Sequence, residues 1–300
     1  MKVKCIYGID YDSNIYLITG EKNSVVDTGT GLHNKRVVEE IEEYVNPKKI
    51  DQIVITHEHF DHTGGIKKIK KHLSENSKII SHKKAAFKIE KGESNFAKML
   101  GTEMESVPVD IKIDEGDEID MGNEKWLVLY TPGHSEGSIC LYEEKSKSLI
   151  SGDTIFAYGS FGRYDLPGGN ANLLRKSIER ISKLDVDNLY PGHESIVEGD
   201  ANKHIKKTLQ NTSYIWYIMT NPRIILNKFK WKENTDFKEI KVEYTHRGAP
   251  NDKKMISGEE IIDVGRSFMK TNSAEIPFHR VIKIKYRDEI IFERKKHTWI

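Results

Sequence analysis

The sequence predicts a layered α/β sandwich made of two similar halves, followed by a second, small, basic, β-rich α+β domain. Three observations carry that expectation. Runs of strand-like alternation are twice followed by helical periodicity, which favours helices laid over sheets rather than a singly wound sheet. Histidine- and aspartate-bearing turns recur where apolar strands end. The charge balance also changes sign near residue 220: residues 1–220 hold 29 Lys+Arg against 34 Asp+Glu, and residues 221–300 hold 18 against 12. The first part is thus about −5 and the last about +6.

Taken in order, residues 3–7, 15–19 and 24–27 alternate and end in turn residues, so they read as a strand meander. Residues 34–45 place Val37, Val38, Ile41 and Val45 at helical spacing with Pro47 as a stop, and residues 51–55 follow as a fully buried strand. A short helix over 64–73, a strand over 78–81 and a charged helix over 83–100 complete the first half. Strands over 125–130, 137–142 and 148–151, a helix over 171–184 and a strand over 188–190 repeat the plan. A helical segment over 199–222, carrying Ile205, Leu209, Ile215 and Ile218, ends at Asn221-Pro222. The domain boundary is expected there, with domains at residues 1–218 and 221–297. Aromatic residues, among them Phe229, Trp231, Tyr244, Phe268, Phe278, Tyr286, Phe292 and Trp299, are spread through the last segment.

Composition narrows the class. The chain has 300 residues, 37% hydrophobic and 31% charged, as expected of a globular protein. No stretch approaches the roughly 18 consecutive apolar residues needed to span a bilayer, and no apolar segment of a secretory signal follows MKVKCIYG. No membrane partner is expected. Cys5 and Cys140 are far apart, and Cys140 sits in an apolar run, so both are expected to be buried free thiols in a reducing cytoplasm.

Chemistry concentrates at Thr56-His-Glu-His-Phe-Asp-His62, directly after the strand at 51–55. His57 and His59 are two apart, so an extended segment sends both imidazoles to one side, and Asp61 and His62 follow where the chain turns toward Gly64-Gly65. One metal ion cannot easily use all four. Pro-Gly-His turns recur at Thr131-Pro-Gly-His134 and Tyr190-Pro-Gly-His193, and Ser151-Gly-Asp153 ends another strand. Neutral imidazole and carboxylate suit zinc, with iron or manganese as alternatives.

These motifs resemble those of the metallo-β-lactamase fold hydrolases, whose H-x-H-x-D-H signature is matched by His57, His59, Asp61 and His62, with later ligand motifs matched at His134, Asp153 and His193. The resemblance covers residues 1–218 and implies a four-layered αββα sandwich. It implies one divalent ion on His57, His59 and His134, a second on Asp61, His62 and His193, and Asp153 bridging both. Asp61 and Asp153 then serve catalysis through a hydroxide held by the metal pair, whose pKa falls toward about 7. Asp27, in Val25-Val-Asp-Thr-Gly29, matches a carboxylate beneath the site that orients a ligand histidine, or else marks a plain Asp turn. Glu58 is expected to point away from the metals, as a supporting or solvated group.

The segment Phe161-Gly-Arg163-Tyr164-Asp165-Leu-Pro-Gly-Gly169 is similar to one found in glyoxalase II-like thioester hydrolases. It makes Arg163 and Tyr164 substrate candidates and a small thioester or ester the expected substrate. Arg163 and Asp165 pairing simply to brace the loop is the alternative. The C-terminal residues do not look like the glutathione-gripping helices of glyoxalase II. Only 39 residues separate Asp153 from His193, too few for the large inserted domain of the nuclease branch. His59 stands where the flavodiiron branch usually has Glu, but mono-iron persulfide dioxygenases share H-x-H-x-D-H.

Arg247-Gly-Ala-Pro250, Ile261-Ile-Asp-Val-Gly-Arg266 and Ile276-Pro-Phe-His279-Arg280 resemble a small domain family (DUF504-like) proposed to recognise RNA ends carrying a cyclic phosphate. The resemblance makes Arg247, Arg266, His279 and Arg280 candidates for binding RNA 3′ or cyclic-phosphate ends. Exposed aromatics could stack on unpaired bases, or they could form the core of the module. An RNA-end phosphoesterase and a non-catalytic RNA-binding adaptor therefore stand beside the thioesterase as readings.

Overall fold

A computed structural model describes residues 2–94, 97–98, 100–231 and 236–294, with the side chains of 2, 214–220 and 231 left aside. The chain forms two compact units, Met1–Thr212 and Ser213–Ile300. Among the described residues no helix is long and apolar enough to cross a membrane.

The first unit contains two mixed sheets. β1 (Lys2–Ile6), β2 (Ile15–Thr19), β3 (Asn23–Val26), β4 (Ile50–Ile55), β5 (Lys78–His82) and β6 (Ile111–Ile113) lie in that order, antiparallel up to β3 and parallel from there. β7 (Glu118–Met121), β8 (Glu124–Tyr130), β9 (Ile139–Glu143), β10 (Ser148–Gly152) and β11 (Asn188–Pro191) form the second, antiparallel except for the β10–β11 pair. Each sheet therefore closes on a parallel pair reached through a helical crossover, as the repeated strand and helix pattern leads one to expect.

Strand alternation sorts the side chains into layers. Val26, Val54 and Ile80 from the first sheet meet Trp126, Val128, Ile139, Leu141 and Ile150 from the second in one buried cluster between the sheets. Their neighbours point the other way. Ile53, Ile55 and Ile79 pack with α1 (Asn34–Glu42), α3 (Ile66–Lys70) and α4 (Lys83–Lys91), beside the one-turn α2 (Phe60–Thr63). Leu129, Cys140 and Leu149 pack with α5 (Ala171–Ile181) and the first turns of α6 (Ala201–Thr220). The layers run helix, sheet, sheet, helix.

One helix boundary and two strands differ from expectation. The helix read over 83–100, part of which lies outside the described residues, stops at Lys91. Gly92 takes a left-handed conformation (φ 66°) and its N–H returns to the carbonyls of Lys88 and Ile89, a glycine C-terminal stop. The sequence reading also left out β6 and β7, whose mostly exposed residues carry only one or two buried side chains each. Cys5 and Cys140 are free and buried, and burial pushes their thiols up to about 12 and about 11.

The second unit opens with the end of α6, from Ser213, and continues in α7 (Pro222–Trp231). It holds a four-stranded antiparallel sheet, β13 (Lys253–Ser257), β12 (Ile240–Thr245), β17 (Val281–Tyr286) and β18 (Glu289–Glu293), and a three-stranded sheet, β14 (Ile261–Val264), β15 (Phe268–Thr271) and β16 (Glu275–Pro277). Leu226 of α7 joins Val242, Met269, Ile276, Val281 and Ile284 in its core. Tyr244, Phe278 and Phe292 belong to that core as well, so of the aromatics considered for base stacking these three are unavailable. Phe268 is exposed, and Trp299 lies outside the described residues.

Candidate metal centre

Every candidate ligand in the first unit stands at or just beyond the carboxyl end of a strand. β4 delivers His57 and His59, β8 delivers His134, β10 delivers Asp153, and β11 delivers His193. β4, β10 and β11 each run in a parallel pair, and α/β sheets collect ligand groups beyond such strand ends, whereas β8 pairs only antiparallel. Asp61 and His62 follow on α2. The two sheets are stitched together here, since the Ile139 N–H donates to the Thr56 carbonyl at 2.9 Å.

The side chains gather into two adjoining groups, His57, His59 and His134 in one, and Asp61, His62, Asp153 and His193 in the other. In the first, His134 Nε2 lies 3.2 Å from His57 Nε2 and 2.8 Å from His59 Nδ1, and those two are 3.2 Å apart. Nitrogens bound about 2.0–2.1 Å from one tetrahedral ion are about 3.3 Å apart, so the spacing is that of a three-histidine ligand set. His134 Nδ1 faces the Arg163 carbonyl at 2.7 Å, which can only accept, so its Nε2 keeps the lone pair. Burial is the main cause pushing the imidazoles of His57 and His59 down, His57 well below its ordinary value and His59 to about 4. Both are neutral at pH 7 and fit to coordinate.

The second group is charged. His62 Nε2 approaches Asp153 Oδ1 at 3.3 Å and Asp61 Oδ2 at 3.7 Å, and His193 Nε2 lies 3.1 Å from Asp61 Oδ2. Asp153 Oδ2 is 3.4 Å from His134 Nε2 and 3.6 Å from His193 Nε2, which sets this carboxylate between the two groups. His62 Nε2 and Asp153 Oδ1 are fully buried and lack a hydrogen-bond partner. Buried polar atoms are rarely left so, and two aimed at one point are what a cation would satisfy. Together the groups are consistent with a binuclear metal site.

Asp27 lies under the second group. Its carboxylate accepts from the Thr56 N–H (2.8 Å), the Thr56 hydroxyl (2.7 Å) and His62 Nδ1 (2.7 Å), so His62 Nε2 faces the other ligands. Its own backbone takes φ 62°, a conformation Asp tolerates better than most residues and one that recurs at functional sites. Glu58 is not solvated, as one reading of the sequence allowed. It is buried, and accepts from Ser135 Oγ (2.9 Å), Gly137 N (3.1 Å) and Lys88 Nζ (3.1 Å).

Arg163 is exposed and its guanidinium binds Asp165 through two 3.0 Å contacts, while Tyr164 packs on the core behind the second sheet. The backbone of this segment, through the Arg163 carbonyl, is what touches the candidate ligands. Reading the sequence missed two glycines. A Cβ on Gly162 would lie 2.0 Å from the Asp153 carbonyl, and one on Gly192 would lie 2.2 Å from Asp153 Oδ1. Only their positions one residue before Arg163 and His193 hinted at this. Gly192→Ala is expected to lower metal affinity about 10- to 100-fold by displacing Asp153, read by chelator competition.

Proton release offers a second check. Burial opposes charge on His62 and His193, but Asp153 and its neighbouring carboxylates outweigh it and raise both above their ordinary value. A raised imidazole holds its proton more tightly than a free one, so a cation competes with that proton and affinity is expected to rise with pH. Calorimetry in buffers of differing ionisation enthalpy is expected to show protons released as the Asp61/His62/Asp153/His193 group fills, and none from His57 or His59.

In the second unit Arg247, Arg266, His279 and Arg280 are all exposed. They lie on the turns after β12, β14 and β16. The Phe278 N–H donates to the Ser267 carbonyl at 3.2 Å and the Thr245 hydroxyl to the Arg280 carbonyl at 3.5 Å, which brings these three turns together.

The family model for the metallo-beta-lactamase superfamily matches residues 8–193, more than half of the chain, which therefore belongs to that superfamily. Residues 219–294 match the MJ1316 RNA cyclic group end recognition domain. A probable metallo-hydrolase of Methanocaldococcus jannaschii, MJ0888, is 37% identical over 204 residues, covering 66% of this chain and 96% of the relative. A hydroxyacylglutathione hydrolase of Francisella tularensis subsp. novicida is 31% identical over 150 residues, half of this chain and about half (51%) of that enzyme. Among solved structures, TTHA1623 in a di-iron-bound form matches with TM-score 0.55 and 26% identity, over 65% of this chain and 94% of that one. The chain is a probable metallo-hydrolase whose metal is not fixed by these likenesses.

Proposed function

We propose that the first unit is a binuclear metallohydrolase, related to glyoxalase II, that cleaves a small thioester or ester. His57, His59 and His134 hold one divalent ion, Asp61, His62 and His193 the other, and Asp153 serves both. The observation that carries this reading is the Asp153 carboxylate, within 3.6 Å of His62, His134 and His193 nitrogens from both groups. Zinc fits the donors, and iron or manganese is accepted by the same set. When bound, the ion pair supplies water activated near neutral pH and polarises the scissile carbonyl. The chain's part is to keep every donor lone pair facing inward. The Arg163 carbonyl does so for His134 and Asp27 for His62, while Asp61 and Asp153 supply the negative charge that makes divalent binding favourable. His193, with about a third of its side chain exposed, marks the accessible side.

The basic second unit favours one further reading, in which Arg247, Arg266, His279 and Arg280 bind a 3′ or cyclic-phosphate RNA end that the metal centre then hydrolyses. Guanidinium forks bind phosphate bidentately, and three of them with one imidazole on adjoining turns suit a terminal phosphate. Parallel assays on acyl-glutathione thioesters and 2′,3′-cyclic-phosphate RNA separate the two. Thioester turnover unchanged after deletion of residues 221–300 is expected, and phosphoesterase activity lost with that deletion would favour the RNA reading. Oxygen consumption with persulfide on a single iron would indicate the dioxygenase alternative. RNA binding with neither metal nor turnover would indicate an adaptor.

A further inference from the structure

The three-histidine group is assembled from two sheets. His57 and His59 leave β4 of the first, and His134 leaves β8 of the second. Their nitrogens must nonetheless converge to about 3 Å, and the gap between the sheets at this point sets that spacing. Glu58, between the two histidines on the β4 side, reaches across it. Its Oε2 takes both Ser135 Oγ and Gly137 N–H from the turn that carries His134, and its Oε1 takes Lys88 Nζ from α4.

The fit leaves no slack. A Cβ on Gly137 would fall 2.5 Å from Glu58 Oε2 and 2.6 Å from Ala85 N, so the turn lies flat against the carboxylate and α4. Lys88 also pairs with Glu136 at 2.9 Å, and a Cβ on Gly168 would lie 3.2 Å from Lys88 Nζ. The lysine thereby ties Glu58 to Glu136 of the turn and borders the glycine-rich segment. Buried ion pairs rarely contribute net stability over an apolar replacement, so a carboxylate 5% exposed calls for another role. An acceptor-only group meeting three donors from two elements fixes position.

We propose that Glu58 is a positioning residue that clamps the His134 turn onto the end of β4 and so sets the spacing of the three-histidine metal site. This rests on the reading of His57, His59 and His134 as one ligand set. Glutamine in its place has a single acceptor oxygen and must turn its NH2 toward Lys88 or toward Ser135 and Gly137, so one arm opens. Alanine opens all three.

The test is zinc titration of the metal-free full chain against a competing chelator, with cobalt absorption to tell the all-nitrogen site from the carboxylate-rich one. Glu58→Gln and Glu58→Ala are expected to weaken the three-histidine site about 10- to 100-fold while the other site stays within about threefold of wild type. Ser135→Ala, which removes one donor and leaves no buried charge alone, is expected to weaken the same site less, and it carries the test should Glu58→Ala not fold. Wild-type affinity at both sites, or equal loss at both accompanied by a lower melting temperature, would overturn the proposal. Wild-type chain that fails to bind at the three-histidine site would instead remove the ligand reading beneath it. Two ions bound without thioester turnover would overturn the functional reading and leave Glu58 its role.

Discussion

Replacing Asp153 with alanine is expected to lower kcat/KM for thioester cleavage by on the order of 10³-fold or more, and to reduce bound metal from two ions toward one. Loss of a group that merely orients a ligand costs about 10- to 100-fold, and a carboxylate set between both ligand groups must cost more. Asp153 is the counter-charge of His62 and His193, and burial resists its ionisation less than those imidazoles favour it, holding its carboxyl well below the usual range. Its removal leaves His62 buried without that partner and the two sites unlinked. Metal analysis and steady-state kinetics on the same preparation check the expectation. Undiminished turnover would exclude Asp153 from the reaction.

Two substitutions at Asp27 are expected to separate stability from coordination. Alanine leaves the Thr56 N–H, the Thr56 hydroxyl and His62 Nδ1–H without their acceptor, each at about 1–3 kcal/mol, so at least about 3 kcal/mol of stability is lost. Asparagine keeps the shape and tolerates the positive φ, but its NH2 cannot accept from His62. The imidazole then moves its proton to Nε2, the nitrogen that faces Asp153 and Asp61. Asp27→Asn is therefore expected to unfold near the wild-type denaturant midpoint yet bind metal about 10- to 100-fold more weakly. Similar losses of stability in both variants would show that Asp27 only supports the fold.

The candidate ligand residues were legible because chemistry and pattern coincide. Each of His57, His134, Asp153 and His193 terminates an apolar strand, and a polar group recurring at that one kind of position is visible without any knowledge of pairing. The layered architecture was legible for a related reason, since β4, β8, β9 and β10 are buried on both faces or alternate cleanly between two cores. Glu58 was legible only in part. Alternation correctly turns it away from His57 and His59, but nothing local says that the turn after β8 will arrive on that side with two donors. The same holds for Gly162 and Gly192, whose meaning depends on what packs against them. β6 and β7 escaped notice because weakly buried strands lack the apolar run that marks β4. The aromatics of the second unit left two readings open, and packing in the core claimed Tyr244, Phe278 and Phe292.

Counting the ions bound per chain tests the central claim most directly. Metal-free protein titrated with zinc, and separately with manganese and ferrous iron, is expected to take up two ions per chain. Thioester hydrolysis is expected to appear as the second ion binds, and His59→Ala and His193→Ala should each reduce the count toward one. One ion at saturation, with activity already complete, would contradict a binuclear centre built from these seven residues.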